Sequence, residues 1–126
     1  MRFSAITETA TAALVMYLPL ASATVYHATR KSREGALSQV AWSNGTPDVC
    51  SQFTQIRTGD GSPCGIDFYV QENGWRNGPF TLEGCGGNGL TLERSHAFNS
   101  NCKWSKDKIT CSGGAVIGTG GIWACS

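Results

Sequence analysis

Six cysteines constrain the fold of this chain more than any other feature. None of them precedes Cys50, and they lie at Cys50, Cys64, Cys85, Cys102, Cys111 and Cys125. An even number of cysteines in a short exported chain is typical of a disulfide framework. A zinc site is disfavoured because no two cysteines have CxxC spacing and the only histidines are His27 and His96. We therefore expect three disulfides, no bound metal and no other cofactor.

The N-terminus has the pattern of a signal peptide. Arg2 provides a basic start, Ala10–Leu20 is an uncharged apolar run, and Ala21–Ala23 supplies small residues for cleavage after Ala23. The apolar run is too short to span a bilayer, and a buried N-terminal helix is the alternative interpretation. No later segment is apolar enough to anchor the chain. We expect residues 1–23 to be removed and the product to be secreted and extracellular, without a membrane anchor.

The region after the predicted cleavage site divides into two parts. Residues 24–35 are polar and carry Arg30, Lys31 and Arg33, which predicts a flexible N-terminal or pro-like segment. The pair Arg30-Lys31 is either a processing site or part of a solvated tail. Residues 36–126 are expected to form the disulfide-stabilised domain. The net charge of +1 gives no basic surface of the kind that nucleic acids require, so we expect no nucleic-acid partner.

Short apolar–polar alternations separated by glycine-rich turns predict the fold class. The predicted strands are 49–57, 64–72, 79–84, 90–98, 102–105, 108–112, 115–118 and 121–125. Regularly spaced short strands with such turns are typical of a sandwich or barrel. No stretch after residue 23 shows helical periodicity over three turns. We therefore expect an all-β fold, a small disulfide-stapled antiparallel β-sandwich or barrel.

One predicted hairpin also predicts a disulfide. A turn between Lys106 and Asp107 would place Cys102 opposite Cys111 and Trp104 opposite Ile109 on one face. In that register the two cysteines form a non-hydrogen-bonded pair, where strands approach closely enough for a cross-strand bridge. We therefore expect a Cys102–Cys111 disulfide.

A second hairpin is predicted from the positions of its leucines. Phe80 and Leu82 share a face with Leu90 and Leu92 only if the connection is odd-numbered and centred at Gly87. The inner face would then continue along the same strand through Arg94 and His96 to Phe98, with a bulge near Arg94 or with the polar residues at the rim.

The other four cysteines allow three connectivities. A hairpin centred near Asp60 does not bring Cys50 opposite Cys64, so that pairing is disfavoured. We prefer Cys50–Cys125, which would close the domain, and Cys64–Cys85, which would tie neighbouring strands together.

Candidate catalytic chemistry centres on His96, which has Glu93 and Arg94 nearby. A histidine with a carboxylate and an arginine could cleave RNA by acid–base catalysis. Small guanyl-specific fungal ribonucleases use two histidines, and here His27 would have to act from the N-terminal segment. Glu93 and His96 would also point to opposite faces of a strand. We therefore expect a surface histidine and no catalytic residues, with a small secreted ribonuclease-like protein as an alternative.

Candidate binding residues are Trp75 and Arg76, which lie between the turn dipeptides Asn73-Gly74 and Asn77-Gly78. An exposed tryptophan beside an arginine could stack on a sugar ring or anchor a protein partner. Alternatively, Trp75 folds back over the open end of the sandwich. Trp104 and Trp123 fall at inward-facing positions, which predicts that both belong to the core.

A candidate modification site lies at Asn44, in the sequon Asn44-Gly45-Thr46. The following Pro47 disfavours glycosylation there.

The layout of the chain resembles the small cysteine-rich secreted proteins of filamentous fungi, which include host-directed effectors and killer-toxin-like proteins. A signal peptide, a short basic stretch from Thr24 to Glu34 and an even cysteine count carry the resemblance. It implies a secreted non-enzymatic interaction protein, effector-like or toxin-like, with a role in virulence. Its partner would be a host or competitor protein bound by a monomer. The alternative is a carbohydrate-binding module for cell-wall glycans, with Trp75 as the platform.

Overall fold

The computed structural model describes residues 24–87 and 89–126, and this part of the chain is almost entirely β-structure. A single helical turn, α1 (Val49–Gln52), interrupts it. The nine strands are β1 (Val25–Lys31), β2 (Leu37–Ser43), β3 (Thr54–Thr58), β4 (Phe68–Glu72), β5 (Trp75–Glu83), β6 (Thr91–Arg94), β7 (Ala97–Ser105), β8 (Ile109–Thr110) and β9 (Val116–Cys125). The predicted signal peptide and its cleavage site lie outside the described residues.

The strands form one antiparallel sheet that nearly closes into a barrel. Their order is β3-β2-β1-β9-β7-β6-β5-β4, and β8 pairs with β9 beside this path. The terminal strands β3 and β4 contact each other, although no backbone ladder joins them. The expectation of an all-β, disulfide-stapled antiparallel fold is confirmed, in the form of a barrel-like sheet.

Side-chain hydroxyls from β3, from the end of β2 and from the loop after β2 take the place of a ladder along the open edge of β4, at the seam with β3. The Thr54 hydroxyl donates to the backbone oxygen of Tyr69 at 2.5 Å. The Ser43 and Thr46 hydroxyls donate to the backbone oxygen of Gln71 at 2.5 and 3.0 Å. Because these carbonyls point away from β5, they would otherwise lack partners in the barrel wall. The seam is therefore held at a few points and left open between them.

Residues 25–31, predicted to be flexible, instead form strand β1 near the centre of the sheet. This strand pairs with β2 on one side and with β9 on the other. Val25 and His27 point into the barrel, whereas Tyr26 and Ala28 belong to the opposite face. The prediction of a flexible segment is wrong for this stretch because its alternating pattern supplies a buried position on each face.

The central strands bury both of their faces, so the protein has two apolar clusters. The interior cluster fills the barrel and consists of Val25, Ala41, Ile56, Phe68, Val70, Phe80, Leu82, Leu90, Leu92 and Cys125. The outer cluster lies on the other face of β1, β2 and β9 and consists of Ala28, Val40, Trp42, Cys111, Ala115, Ile117 and Ile122. Residues Val49 to Phe53, which include α1, and strand β8 cover the outer cluster in part.

The cysteines form three disulfides, of which one was predicted with the correct partner. Cys64–Cys85 is confirmed. The predicted Cys102–Cys111 and Cys50–Cys125 bridges are wrong, and the observed bridges are Cys50–Cys111 and Cys102–Cys125.

The two errors share one cause, which is that β7 and β8 both pair with β9 instead of with each other. Cys102 lies directly opposite Cys125, with their Cα atoms 3.9 Å apart. Cys102 does form a cross-strand bridge, but with Cys125 on β9 and not with the predicted partner Cys111.

The predicted register of the second hairpin is confirmed. Leu82 pairs with Leu92 and Phe80 with Arg94, so the connection is centred at Gly87. The predicted continuous strand 90–98 is wrong, because Ser95 and His96 adopt positive φ angles of 52° and 66° and form a tight turn between β6 and β7.

Three further strand predictions need correction. The predicted strand 49–57 begins with the helical turn α1. The predicted strands 115–118 and 121–125 are parts of the single strand β9, whose pairing with β1 is irregular around Gly118–Gly121.

Candidate functional site

Trp75 lies at the tip of the β4–β5 hairpin and is 77% exposed. The hairpin turns through Asn73 and Gly74, whose φ angles of 53° and 89° fit the tight turn that this dipeptide favours. Asn77-Gly78, predicted to be a second turn, lies inside β5. Trp75 therefore projects from a regular hairpin and does not fold back over the barrel.

Trp75 and Arg76 belong to different surfaces. Consecutive residues of a strand point to opposite faces, so the two side chains diverge. The Arg76 guanidinium lies 4.0 Å from the centroid of the Tyr69 ring. Tyr69 alternates along β4 with the buried residues Phe68 and Val70, which places the Arg76–Tyr69 pair on the outside of the barrel. The structure thus separates two residues that the sequence suggested as one binding site.

A shallow groove follows the open seam between β3 and β4 beside this pair. Its volume is about 360 Å³, and its lining comes from three strands and the segment before β4: Thr54, Gln55, Asp67, Phe68, Tyr69, Val70, Gln71 and Arg76. We call it the seam groove. Apart from Arg76, none of these residues was predicted to bind a ligand, because the groove exists only where the two ends of the sheet meet.

The turn between β6 and β7 brings His96 to Asp67 and not to Glu93. His96 Nε2 lies 3.6 Å from Asp67 Oδ2, and His96 is 68% exposed. The Thr81 hydroxyl donates to Asp67 Oδ1 at 2.8 Å, which fixes the carboxylate. The Arg94 guanidinium donates to Asn77 Oδ1 at 2.8 Å. The proposed Glu93–Arg94–His96 constellation is therefore replaced by an exposed Asp67–His96 pair.

His27 occupies a very different environment, inside the barrel. It is buried, and its Nδ1 donates to the backbone oxygen of Val40 at 3.1 Å. Burial lowers the pKa of His27, and the bond to Val40 opposes this in part. The ring lines a small cavity of about 170 Å³ next to Trp123 and Leu90. The ribonuclease alternative needed His27 in an accessible position, and the structure places it in the core.

Among residues 24–87 and 89–126, the other large apolar side chains that are exposed are Phe98 and Trp104, at 65% and 53%. Trp104 was predicted to be in the core and is not. Its indole Nε1 donates to the backbone oxygen of Gly120 at 2.9 Å and lies over Gly121 at the irregular part of β9. Trp123, predicted to be in the core with it, is partly buried against the interior cluster.

Asn44 is exposed at the end of β2, where its Oδ1 accepts a hydrogen bond from the Thr24 amide at 3.2 Å. The hydroxyl of Thr46, the third residue of the sequon, is buried and bonded to β4. Glycosylation of Asn44 stays a prediction.

Comparisons with protein-family models, with curated proteins and with solved structures find no match to this chain. Within residues 24–87 and 89–126, no cluster of three histidine, cysteine or acidic residues has a geometry suited to a metal ion. The same residues include no helix of the length and apolar character needed to cross a membrane.

Proposed function

We propose that the protein is a secreted, non-enzymatic interaction protein, effector-like or toxin-like, that binds a host or competitor molecule outside the producing cell. The exposure of Trp75 carries this proposal. A tryptophan exposed to 77% at the tip of a two-residue hairpin turn presents a large apolar surface on a rigid support. Tryptophan is among the residues that contribute most binding energy at protein interfaces.

The shape of the surface supports recognition by a projecting side chain. Within the described ranges, the large apolar side chains that are exposed, Trp75, Phe98 and Trp104, lie on strands or at a hairpin end. The seam groove is open and measures about 360 Å³, and two other open depressions measure about 460 and 480 Å³. A projecting indole fits a partner that supplies the pocket, as a folded protein surface does.

Secretion is the second part of the proposal, and the disulfides support it. Three bridges tie together a domain whose apolar clusters are small. Such bridges form and persist in oxidising compartments. The predicted signal peptide provides the route, and β1 begins at Val25, just after the predicted cleavage position.

Differential capture tests the binding role of Trp75. The purified protein, Trp75→Ala and Phe98→Ala would each be immobilised and exposed to extracellular fluid and membrane extract from candidate host or competitor cells. We expect a protein retained by the parent and by Phe98→Ala, and lost with Trp75→Ala. Phe98 is a matched control because it is also an exposed aromatic residue. Identical capture by all three proteins would contradict the proposal.

RNA cleavage assays on the parent and on His96→Ala examine the enzymatic alternative. Cleavage that requires His96 would overturn the non-enzymatic assignment.

A further inference from the structure

We propose that the seam groove binds a short stretch of an uncharged oligosaccharide chain. This goes beyond the proposed function, because the groove lies on the outside of the barrel, whereas Trp75 points to the other face of β5. It also places the glycan-binding residues away from Trp75, which the sequence had suggested as a sugar platform.

The first argument is the type of polar group that the groove presents. Gln55 on β3 and Gln71 on β4 are exposed on the two sides of the seam, with Arg76 beside them. Amide and guanidinium groups hold donors, and in the amide also an acceptor, in one plane. One such planar group can bind two neighbouring hydroxyls of a sugar ring at the same time.

The second argument is that these groups are free to bind. Among the described residues, no hydrogen bond joins the side chain of Gln55, Gln71 or Arg76 to the protein. Thr54 differs, because its hydroxyl is already used by Tyr69. The groove therefore combines a fixed wall with unused donors and acceptors that face solvent.

The third argument is the rigidity of the Arg76–Tyr69 pair. The guanidinium stacks 4.0 Å from the ring centroid, which restricts the otherwise flexible arginine side chain. A restricted side chain loses less entropy when a ligand binds. The contact also holds the planar guanidinium beside the groove, where its several N–H donors can bind neighbouring hydroxyls of a sugar ring.

Charge and shape define the ligand class. In the part of the chain that the structure describes, Asp67 and Arg76 are the charged residues that line the groove, and their charges cancel. Asp67 is in addition occupied by the Thr81 hydroxyl and faces His96. A charged ligand would therefore be attracted by one of these two side chains and repelled by the other. The groove is open along the seam, and its volume of about 360 Å³ suits part of an extended chain.

Calorimetric titration with defined oligosaccharides tests the proposal. The probes are chitohexaose, laminarihexaose and cellohexaose, with hexagalacturonate as the anionic comparator. We expect at least one neutral probe to bind, with shifts of backbone amide signals in residues 54–55 and 67–71. Arg76→Ala should weaken binding about tenfold or more, as expected for loss of a hydrogen bond from a charged donor. Arg76→Lys should restore little, because lysine lacks the planar stack.

The control variant is Trp75→Ala, which should bind the neutral probe as the parent does. Amide spectra of the variants, unchanged outside the groove, establish that each is folded. Failure of all three neutral probes to bind, tighter binding of hexagalacturonate, or unchanged affinity in Arg76→Ala would each overturn the proposal. Loss of binding in Trp75→Ala would also overturn it and would assign the glycan to the hairpin tip. Partner capture through Trp75 is measured separately, so either proposal can fail alone.

Discussion

The interior and outer clusters lie on opposite faces of the same central strands, yet they are closed in different ways. The interior cluster is enclosed by the sheet itself, and Leu82 and Leu92 at its centre are fully buried. The outer cluster is covered by a four-residue helical turn and a two-residue strand. The Cys50–Cys111 disulfide joins the helical turn to the residue that directly follows the short strand. The comparison indicates that a covalent link is placed where the covering segments are too short to hold by packing alone.

The largest expected effect follows from removing that link. The double variant Cys50→Ser/Cys111→Ser should lose about 4 kcal/mol of unfolding free energy in the chain-entropy model, because the bridge spans 61 residues of sequence. Denaturant unfolding measures the loss. Hydrogen exchange should increase first around residues 49–53 and 109–115, while β5 and β6 remain protected. Equal loss of protection in both clusters would contradict the separation that we describe.

An apolar truncation inside the barrel provides the reverse test. Leu82→Ala should destabilise the protein by about 3 kcal/mol, because a fully buried leucine leaves a cavity that the closed sheet cannot fill. Tyr26→Ala in the outer face should cost less, since Tyr26 is only partly buried against Trp42. Chemical denaturation measures the loss of unfolding free energy in both variants. A larger loss in Tyr26→Ala than in Leu82→Ala would contradict this prediction.

Strand β9 contributes to both clusters, and its irregular segment can be tested with two adjacent glycines. Gly121 has a φ angle of +97°, and an added Cβ would overlap the Trp104 indole. Gly121→Ala should therefore lower the unfolding free energy of the protein by about 2 kcal/mol, through backbone strain and displacement of Trp104. Gly120→Ala is the matched control, because open space surrounds its Cβ position. Similar thermal stability of the two variants would exclude this explanation.

The smallest expected effect is a pH dependence that separates the two histidines. Burial lowers the pKa of His27, so the unfolded chain binds a proton more readily than the folded one. The stability that His27 contributes should be complete above its ordinary pKa of about 6.5 and should fall as pH decreases toward the lowered folded value. The slope from one proton is at most about 1.4 kcal/mol per pH unit.

Urea unfolding between about pH 5 and 8 measures this slope. His27→Gln should remove it, whereas His96→Gln should retain it, because that substitution at the surface leaves His27 and its buried surroundings unchanged. A slope that survives in His27→Gln would show that another group is responsible.

Local features of the fold could be predicted wherever neighbouring residues decide them. The Asn73-Gly74 turn and the Leu82–Leu92 register follow from turn chemistry and from the need to bury leucines on one face. The turn at Ser95-His96 could not be predicted in the same way, because two consecutive positive φ angles are uncommon without glycine and Ser95 is not a residue type enriched there. Its position depends on β7 turning back to pair with β6.

The residues of the candidate sites also divide into those that could be predicted from the sequence and those that could not. Trp75 and Arg76 could be identified from composition and from the turn before them. Asp67, Tyr69 and Gln55 could not, since no local motif marks them and they meet Arg76 only when β3 approaches β4. Strand alternation then assigns Trp75 and Arg76 to different surfaces.

The sequence by itself determined that six cysteines pair within a small all-β domain, and it determined where several strands turn, because these outcomes depend on residue type and short-range spacing. The tertiary structure decided which strands are neighbours. Strand β9 pairs with β1, β7 and β8, and that choice changed the partners of Cys102 and Cys111 and drew residues 25–31 into the sheet. Such pairings depend on burying two faces at once, which is a property of the assembled barrel and of no single segment.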